Sequence, residues 1–131
     1  MPRSVTPFLM FEGHAESAMT LYTSLFAGSA IERLDRYAAG EPGAEGTVKH
    51  GEITVGGQRL RFFDSPGKHA FTFTPSISIF VECESAAEQE SAYAALMEGG
   101  AALMPLDNYG FSARFGWVND RFGVSWQLNL T

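Results

Sequence analysis

The strongest constraint in this chain is an order of elements that occurs twice. Val5 to Glu12 carries the apolar run Phe8-Leu9-Met10-Phe11 and reads as a strand. After Gly13-His14, the residues Ala15, Ala18, Met19, Tyr22, Leu25 and Phe26 fall on one face of a helix that Gly28 ends. Ile31 to Tyr37 reads as a second strand, and Ala38 to Gly46 as a loop broken by Pro42. Lys49 to Val55 and Gln58 to Asp64 flank Gly56-Gly57, a two-residue hairpin signal. Residues 65–75 read as a linker punctuated by Pro66, Gly67 and Pro75. The order then begins again with a strand from Ile77 to Val81 and a helix opened by the capping-box pattern Ser85-Ala86-Ala87-Glu88. Ala92, Tyr93, Leu96 and Met97 supply that helix's buried stripe, and Gly99-Gly100 stops it. Ala101 to Leu106, Phe111 to Val118 and Val124 to Leu130 complete the second set of three strands.

One helix cannot cover both faces of a four-stranded sheet. The expected fold is therefore α+β: two βαβββ modules, about 4–64 and 76–131, whose sheets combine into a curved mixed-sheet cup with the helices outside. A chain of 131 residues with 45% hydrophobic and 18% charged residues can bury a core of this size. Nine Lys plus Arg against fifteen Asp plus Glu give a formal charge of -6. That balance argues against nucleic-acid and anionic-membrane partners, which need a basic face. No apolar run approaches the roughly 20 residues of a membrane span, and the first residues lack a signal-peptide core. The lone Cys83 rules out an internal disulfide or CxxC pair and suits a reducing compartment. The expected location is cytoplasmic.

The opening TPFLMFEGHAESAMTLYTSLF, the hairpin VKHGEITVGGQRLRFFD, the stretch Gly99-Gly100-Ala101-Ala102-Leu103-Met104-Pro105-Leu106 and the ending FGWVNDRFGVSWQLNL resemble the PhnB-like branch of the vicinal oxygen chelate superfamily. Glyoxalase I, extradiol dioxygenases and the fosfomycin and bleomycin resistance proteins belong to that superfamily. The resemblance covers nearly the whole chain and implies a single domain of paired modules and a homodimer. Some members of the branch carry the label 3-demethylubiquinone-9 3-methyltransferase. A methyltransferase of the usual kind needs a Gly-rich strand-to-helix turn to approach its methyl donor, and Gly56-Gly57 and Gly99-Gly100 lie in a hairpin and at a helix end instead.

In active superfamily members, His, Glu or Gln side chains from four strands hold a divalent metal that acts as a Lewis acid. Carried onto this chain by resemblance, two of those positions fall near Pro7 and Ser76, which are unsuited to the task, and two fall on His50 and Gln127. Two neutral ligands would hold Zn, Mn or Fe weakly, so the expectation is a divalent metal bound loosely or not at all. Glu52 shares a strand face with His50 and could add a carboxylate. His50 is otherwise a hydrogen-bonded cup or interface residue, and Gln127 a solvent-facing one. Arg59 and Arg61 alternate with Leu60 and Phe62 and either meet an anionic ligand or face solvent. Phe63, Asp64, Tyr109 and Trp117 join Glu52 as pocket candidates near strand ends and turns. His14, His69 and Cys83 read as surface, linker and buried residues.

The chain lacks GxxxxGK[ST], HExxH, GxSxG and EF-hand patterns, so nucleotide hydrolysis, zincin proteolysis and serine esterase chemistry have no support. The leading expectation is a homodimer that binds a small apolar or aromatic molecule in the cup, its specific activity unknown. The alternative is a metal-dependent lyase, isomerase or transferase of the vicinal oxygen chelate type.

Overall fold

A computed structural model describes residues 1–131 and resolves them into two compact units, Met1–His69 and Ala70–Thr131. Unit 1 contains β1 (Phe8–Phe11), α1 (Ala15–Leu25), β2 (Ala30–Arg36), β3 (Val48–Val55) and β4 (Gln58–Asp64). Unit 2 contains β5 (Ile79–Glu82), α2 (Ala86–Met97), β6 (Ala101–Asp107), β7 (Arg114–Asn119) and β8 (Ser125–Leu130). The sheets run β1-β4-β3-β2 and β5-β8-β7-β6. In each, the first strand pairs parallel with the last and the remaining pairs are antiparallel. The fold is thus α+β, with two βαβββ modules of like topology. Neither helix is long and apolar enough to cross a membrane.

In unit 1 the residues Ala15, Ala18, Met19, Leu21 and Tyr22 bury the inner stripe of α1. They lie over alternate residues of β3 and β4, among them Ile53, Leu60 and Phe62, all fully or nearly fully buried. Gly51 sits under α1: a Cβ there would stand 2.7 Å from Met19 Sδ and 3.2 Å from Phe62 Cβ. The glycine lets helix and sheet approach closely. Strand alternation then sends His50, Glu52, Arg59, Arg61 and Phe63 to the opposite face.

In unit 2 the buried Gln89 reaches from α2 to the sheet, its Nε2 donating to Arg114 O (3.1 Å) and Leu128 O (3.0 Å). Its Oε1 is buried without a partner. Gly116 plays the part of Gly51, since a Cβ there would meet the Tyr93 ring at 3.2 Å. Val118, Trp126 and Leu128 share that inner face and are fully buried, which leaves Phe115, Trp117, Ser125 and Gln127 on the other.

Four strands begin later than the sequence suggests, two of them by one or two residues: β5 at Ile79 rather than Ile77 and β8 at Ser125 rather than Val124. Val5 to Pro7 precede β1, because Pro7 has no N–H to give the ladder, although its carbonyl accepts from Arg61 N at 2.9 Å. Phe111 to Ala113 are also outside β7. Asn108 Oδ1 accepts from Gly110 N at 2.8 Å, and Gly110 has a φ of +96°, which together form a turn that delays the strand. The expected capping box at Ser85 forms, with one difference. Ser85 Oγ accepts from Glu88 N (3.1 Å), while the Glu88 carboxylate accepts from Glu84 N (2.9 Å) rather than from Ser85's own amide.

Candidate functional site

The helix-free face of unit 1 carries a row of four residues, one per strand. Phe8 pairs with Arg61, Arg61 with Glu52, and Glu52 with Arg33. Arg59, two residues before Arg61, points to the same face and donates Nη2 to Glu52 Oε1 at 2.9 Å. Arg33 Nε donates to Asp35 Oδ2 at 2.6 Å. Arg61 makes no ion pair of this kind, and its Cζ lies 5.0 Å over the Phe8 ring in cation–π range. The Phe8 ring in turn lies 4.9 Å from that of Phe63. These arginines, His50, Gly51 and Glu52, with Ser4 and Thr6 of the N-terminal segment, line a cleft of about 170 Å³.

Among the candidates from sequence, His50 and Glu52 stand together in this cleft and Phe63 lies on the same face. Asp64 does not. It is 3% exposed, with Oδ1 accepting from Gly13 N (2.8 Å) and Ala15 N (3.0 Å) and Oδ2 from Val48 N (2.8 Å). Both oxygens serve backbone amides, so the residue expected at a pocket rim acts as a structural clasp. Arg33, Ser4 and Thr6 were not singled out from the sequence. Arg33 lies in the charged stretch Glu32-Arg33-Leu34-Asp35-Arg36, and only the β2–β3 register shows that it adjoins Glu52.

Gln127, Tyr109 and Trp117 belong to unit 2. Phe80 pairs with Gln127, Gln127 with Trp117, and Trp117 with Met104, so the analogous row there is largely apolar. Gln127 Nε2 donates to Ser78 Oγ (3.1 Å) and Trp117 Nε1 to Ser125 Oγ (2.8 Å), and the two serine hydroxyls are 2.6 Å apart. Gln127 thus meets Ser78, while the hydroxyl of Ser76, near which the resemblance places a ligand position, lies 2.6 Å from that of Thr74. The hydroxyl of Tyr109 donates to Pro105 O (2.5 Å), and its ring lies 6.3 Å from those of Phe111 and Phe115. Burial of the phenol and then the Asp107 carboxylate push its pKa upward. Cys83 is buried at the end of β5, where desolvation, then Glu88 and Glu82, push the thiol up to about 11. A thiol so protonated is a poor nucleophile.

No group of three or more His, Cys, Asp or Glu side chains converges anywhere in the chain. In the unit 1 cleft a cation would meet His50 and Glu52, but Arg59 already occupies that carboxylate and three guanidiniums surround it. The Gln127 amide nitrogen is turned toward Ser78. These residues do not fit a tightly held metal.

The family described as 3-demethylubiquinone-9 3-methyltransferase matches residues 3–129. A PhnB protein from Bacillus cereus is 50% identical, with 98% of this chain and 100% of that one covered and a TM-score of 0.95. Protein PA1353 from Pseudomonas aeruginosa is 30% identical over 98% of each chain, with a TM-score of 0.85. The fosfomycin resistance protein FosX from Listeria monocytogenes, solved with Mn(II) and 1S,2S-dihydroxypropylphosphonic acid, covers 98% of this chain and 93% of its own. At 12% identity and a TM-score of 0.62, it shares the fold alone. No curated protein matches the chain.

Proposed function

The chain belongs to the PhnB-like family of the vicinal oxygen chelate superfamily, the family described as 3-demethylubiquinone-9 3-methyltransferase, and on that footing we propose that it binds a small organic molecule with an apolar or aromatic body. In this reading the whole chain works as one domain, in the cytoplasm and as a homodimer. The observation that carries it is the helix-free face of unit 1, where the contacting rings of Phe8 and Phe63 stand beside a cleft lined by Arg33, His50, Glu52, Arg59 and Arg61, with Arg61 lying over the Phe8 ring. Exposed aromatic surface beside convergent polar groups offers a small organic molecule both contact area and orientation.

Metal-dependent lyase, isomerase or transferase chemistry is the rival reading, and FosX with its Mn(II) lends it the fold. The donor set of this chain speaks against it, since His50 has no second free metal-binding side chain in the cleft. Methyl transfer has weaker support than the family description suggests. In nucleotide-binding sheets a cofactor meets the amides of a strand-to-helix turn. Here the Gly13 and Ala15 amides of the β1–α1 turn already serve Asp64.

Thermal unfolding across a broad panel of aromatic and aliphatic metabolites tests the proposal. A ligand at a hundred times its Kd stabilises the folded state by about 2.7 kcal/mol, which raises the melting temperature by several degrees in a chain of this size. A panel without a single such shift removes the reading. Light scattering on a sizing column tests the dimer, with a mass twice the chain's 14.3 kDa expected at micromolar concentration and a clean monomer the contrary result.

A further inference from the structure

Arg33, Arg59 and Arg61 face the unit 1 cleft against two carboxylates, Glu52 in its lining and Asp35 beside Arg33 on the same face, in a chain whose formal charge is -6. A basic recess in an acidic molecule concentrates anions where the rest of the surface repels them. Like charges gathered on one sheet face also oppose each other unless something negative sits among them. Two of the three guanidiniums are steadied by carboxylates at one nitrogen each: Arg33 through Nε and Arg59 through one Nη. A guanidinium has five N–H donors, so both keep most of theirs. Arg61 keeps all of its donors and is steadied instead by the Phe8 ring. The Ser4 and Thr6 hydroxyls open on the same space. At about 170 Å³ the cleft has the volume of roughly five or six waters, enough for one oxyanion group and part of what carries it.

From this geometry we propose that the cleft is an oxyanion subsite. The Arg61 fork, flanked by Arg33 and Arg59, holds the carboxylate or phosphoryl group of a small ligand, and Phe8 and Phe63 receive its apolar body. The proposal rests on the small-molecule reading above and deepens it. Planar guanidinium matches two oxygens at once, which an ammonium cannot do. Glu52 sets the orientation of Arg59 and, as the acidic residue in the lining itself, also opposes the incoming anion. This gives the proposal a signature in both directions: removal of Arg61 weakens anion binding, and neutralisation of Glu52 strengthens it.

Amide chemical shifts of the full chain, titrated with benzoate, phenyl phosphate and the uncharged benzyl alcohol, test this. Benzoate or phenyl phosphate is expected to move amides of residues 4–6, 8, 33, 50–52 and 59–63, and to bind at least about tenfold more tightly than benzyl alcohol. Whichever of the two binds tighter identifies the group. Arg61→Gln should weaken that binding about tenfold or more, Glu52→Gln should tighten it, and the charge-matched control Arg121→Gln in unit 2 should leave it unchanged. Dispersed spectra report whether each variant is folded; if Arg61→Gln is not, Arg33→Gln takes its place. Shifts confined to other residues, no preference for the anions, or equal binding by folded Arg61→Gln would each overturn the subsite. A benzyl alcohol response equal to that of benzoate overturns the subsite and leaves small-molecule binding standing. Silence from all three probes, together with silence from the metabolite panel, removes both.

Discussion

Asp64 accepts three backbone N–H groups while buried, one from β3 and two from the turn and first residue of α1. Bonds to a charged acceptor contribute about 1.5–3 kcal/mol each, and an orphaned buried donor costs about 1–3 kcal/mol. Asp64→Ala is therefore expected to lower stability by at least about 3 kcal/mol in urea titration, and a loss below about 1 kcal/mol would show that the clasp is dispensable. Cys83 provides a second test at this scale. With the thiol pushed up to about 11 by burial, Glu88 and Glu82, its thiolate at pH 8 is about a hundredfold scarcer than that of an unperturbed thiol at 9.0. Alkylation of the native chain by iodoacetamide at pH 8 should be slower by about that factor than alkylation in denaturant. The same residues mark what a sequence can disclose. Asp64 stands out as a carboxylate at a strand end, but its three partners are 16 to 51 positions away, and local spacing carries no trace of them. Cys83 was legible as a small side chain at a strand end, whereas its neighbours Glu88 on α2 and Asn129 on β8 were not.

The two helices occupy like places and start differently. α2 opens on Ser85, whose Oγ accepts from Glu88 N, whereas the His14 side chain makes no cap for α1, whose first amide goes to Asp64 on β4. Ser85→Ala should accordingly cost about 1 kcal/mol, seen as a lower urea midpoint with an unchanged slope. Ser-Ala-Ala-Glu announces its own cap because both partners lie within four residues. The α1 cap is tertiary and was legible only as a break at Gly13-His14. Strand alternation likewise showed that His50 and Glu52 share a face, and Arg59 and Arg61 another sequence-close one. That all four share it with Arg33 depends on a register set beyond the 38–47 loop. The exposed ion pairs Arg36–Glu16, Arg114–Glu90 and Lys49–Glu41 decorate these elements, and pairs of this kind add little to stability. Lys49 nonetheless holds the Glu41 carboxyl below its ordinary range through their hydrogen bond.

At the scale of the molecule, the duplicated order of elements was the most legible feature, because it repeats a hydrophobic period rather than any particular residue. Each unit completes its own sheet within about half the chain. What the two copies do with equivalent rows was not legible, since one became Phe8-Arg61-Glu52-Arg33 and the other Phe80-Gln127-Trp117-Met104 only through strand register. Each sheet also ends in a strand whose ladder is broken twice: β2 at Ile31/Arg33 and Asp35/Arg36, β6 at Ala102/Met104 and Met104/Asp107. In β6 the break contains Pro105. A straight outer strand offers a template on which other chains can add, and irregular pairing, charge or proline spoils that template. Pro105→Val should speed thioflavin-positive aggregation at 37 °C several-fold while the melting temperature stays nearly the same, and an unchanged lag time would refute it. The broken ladders of β2 and β6 would then be the chain's protection against fibre growth, keeping an apolar and aromatic-rich polypeptide in solution at the concentrations at which it must work.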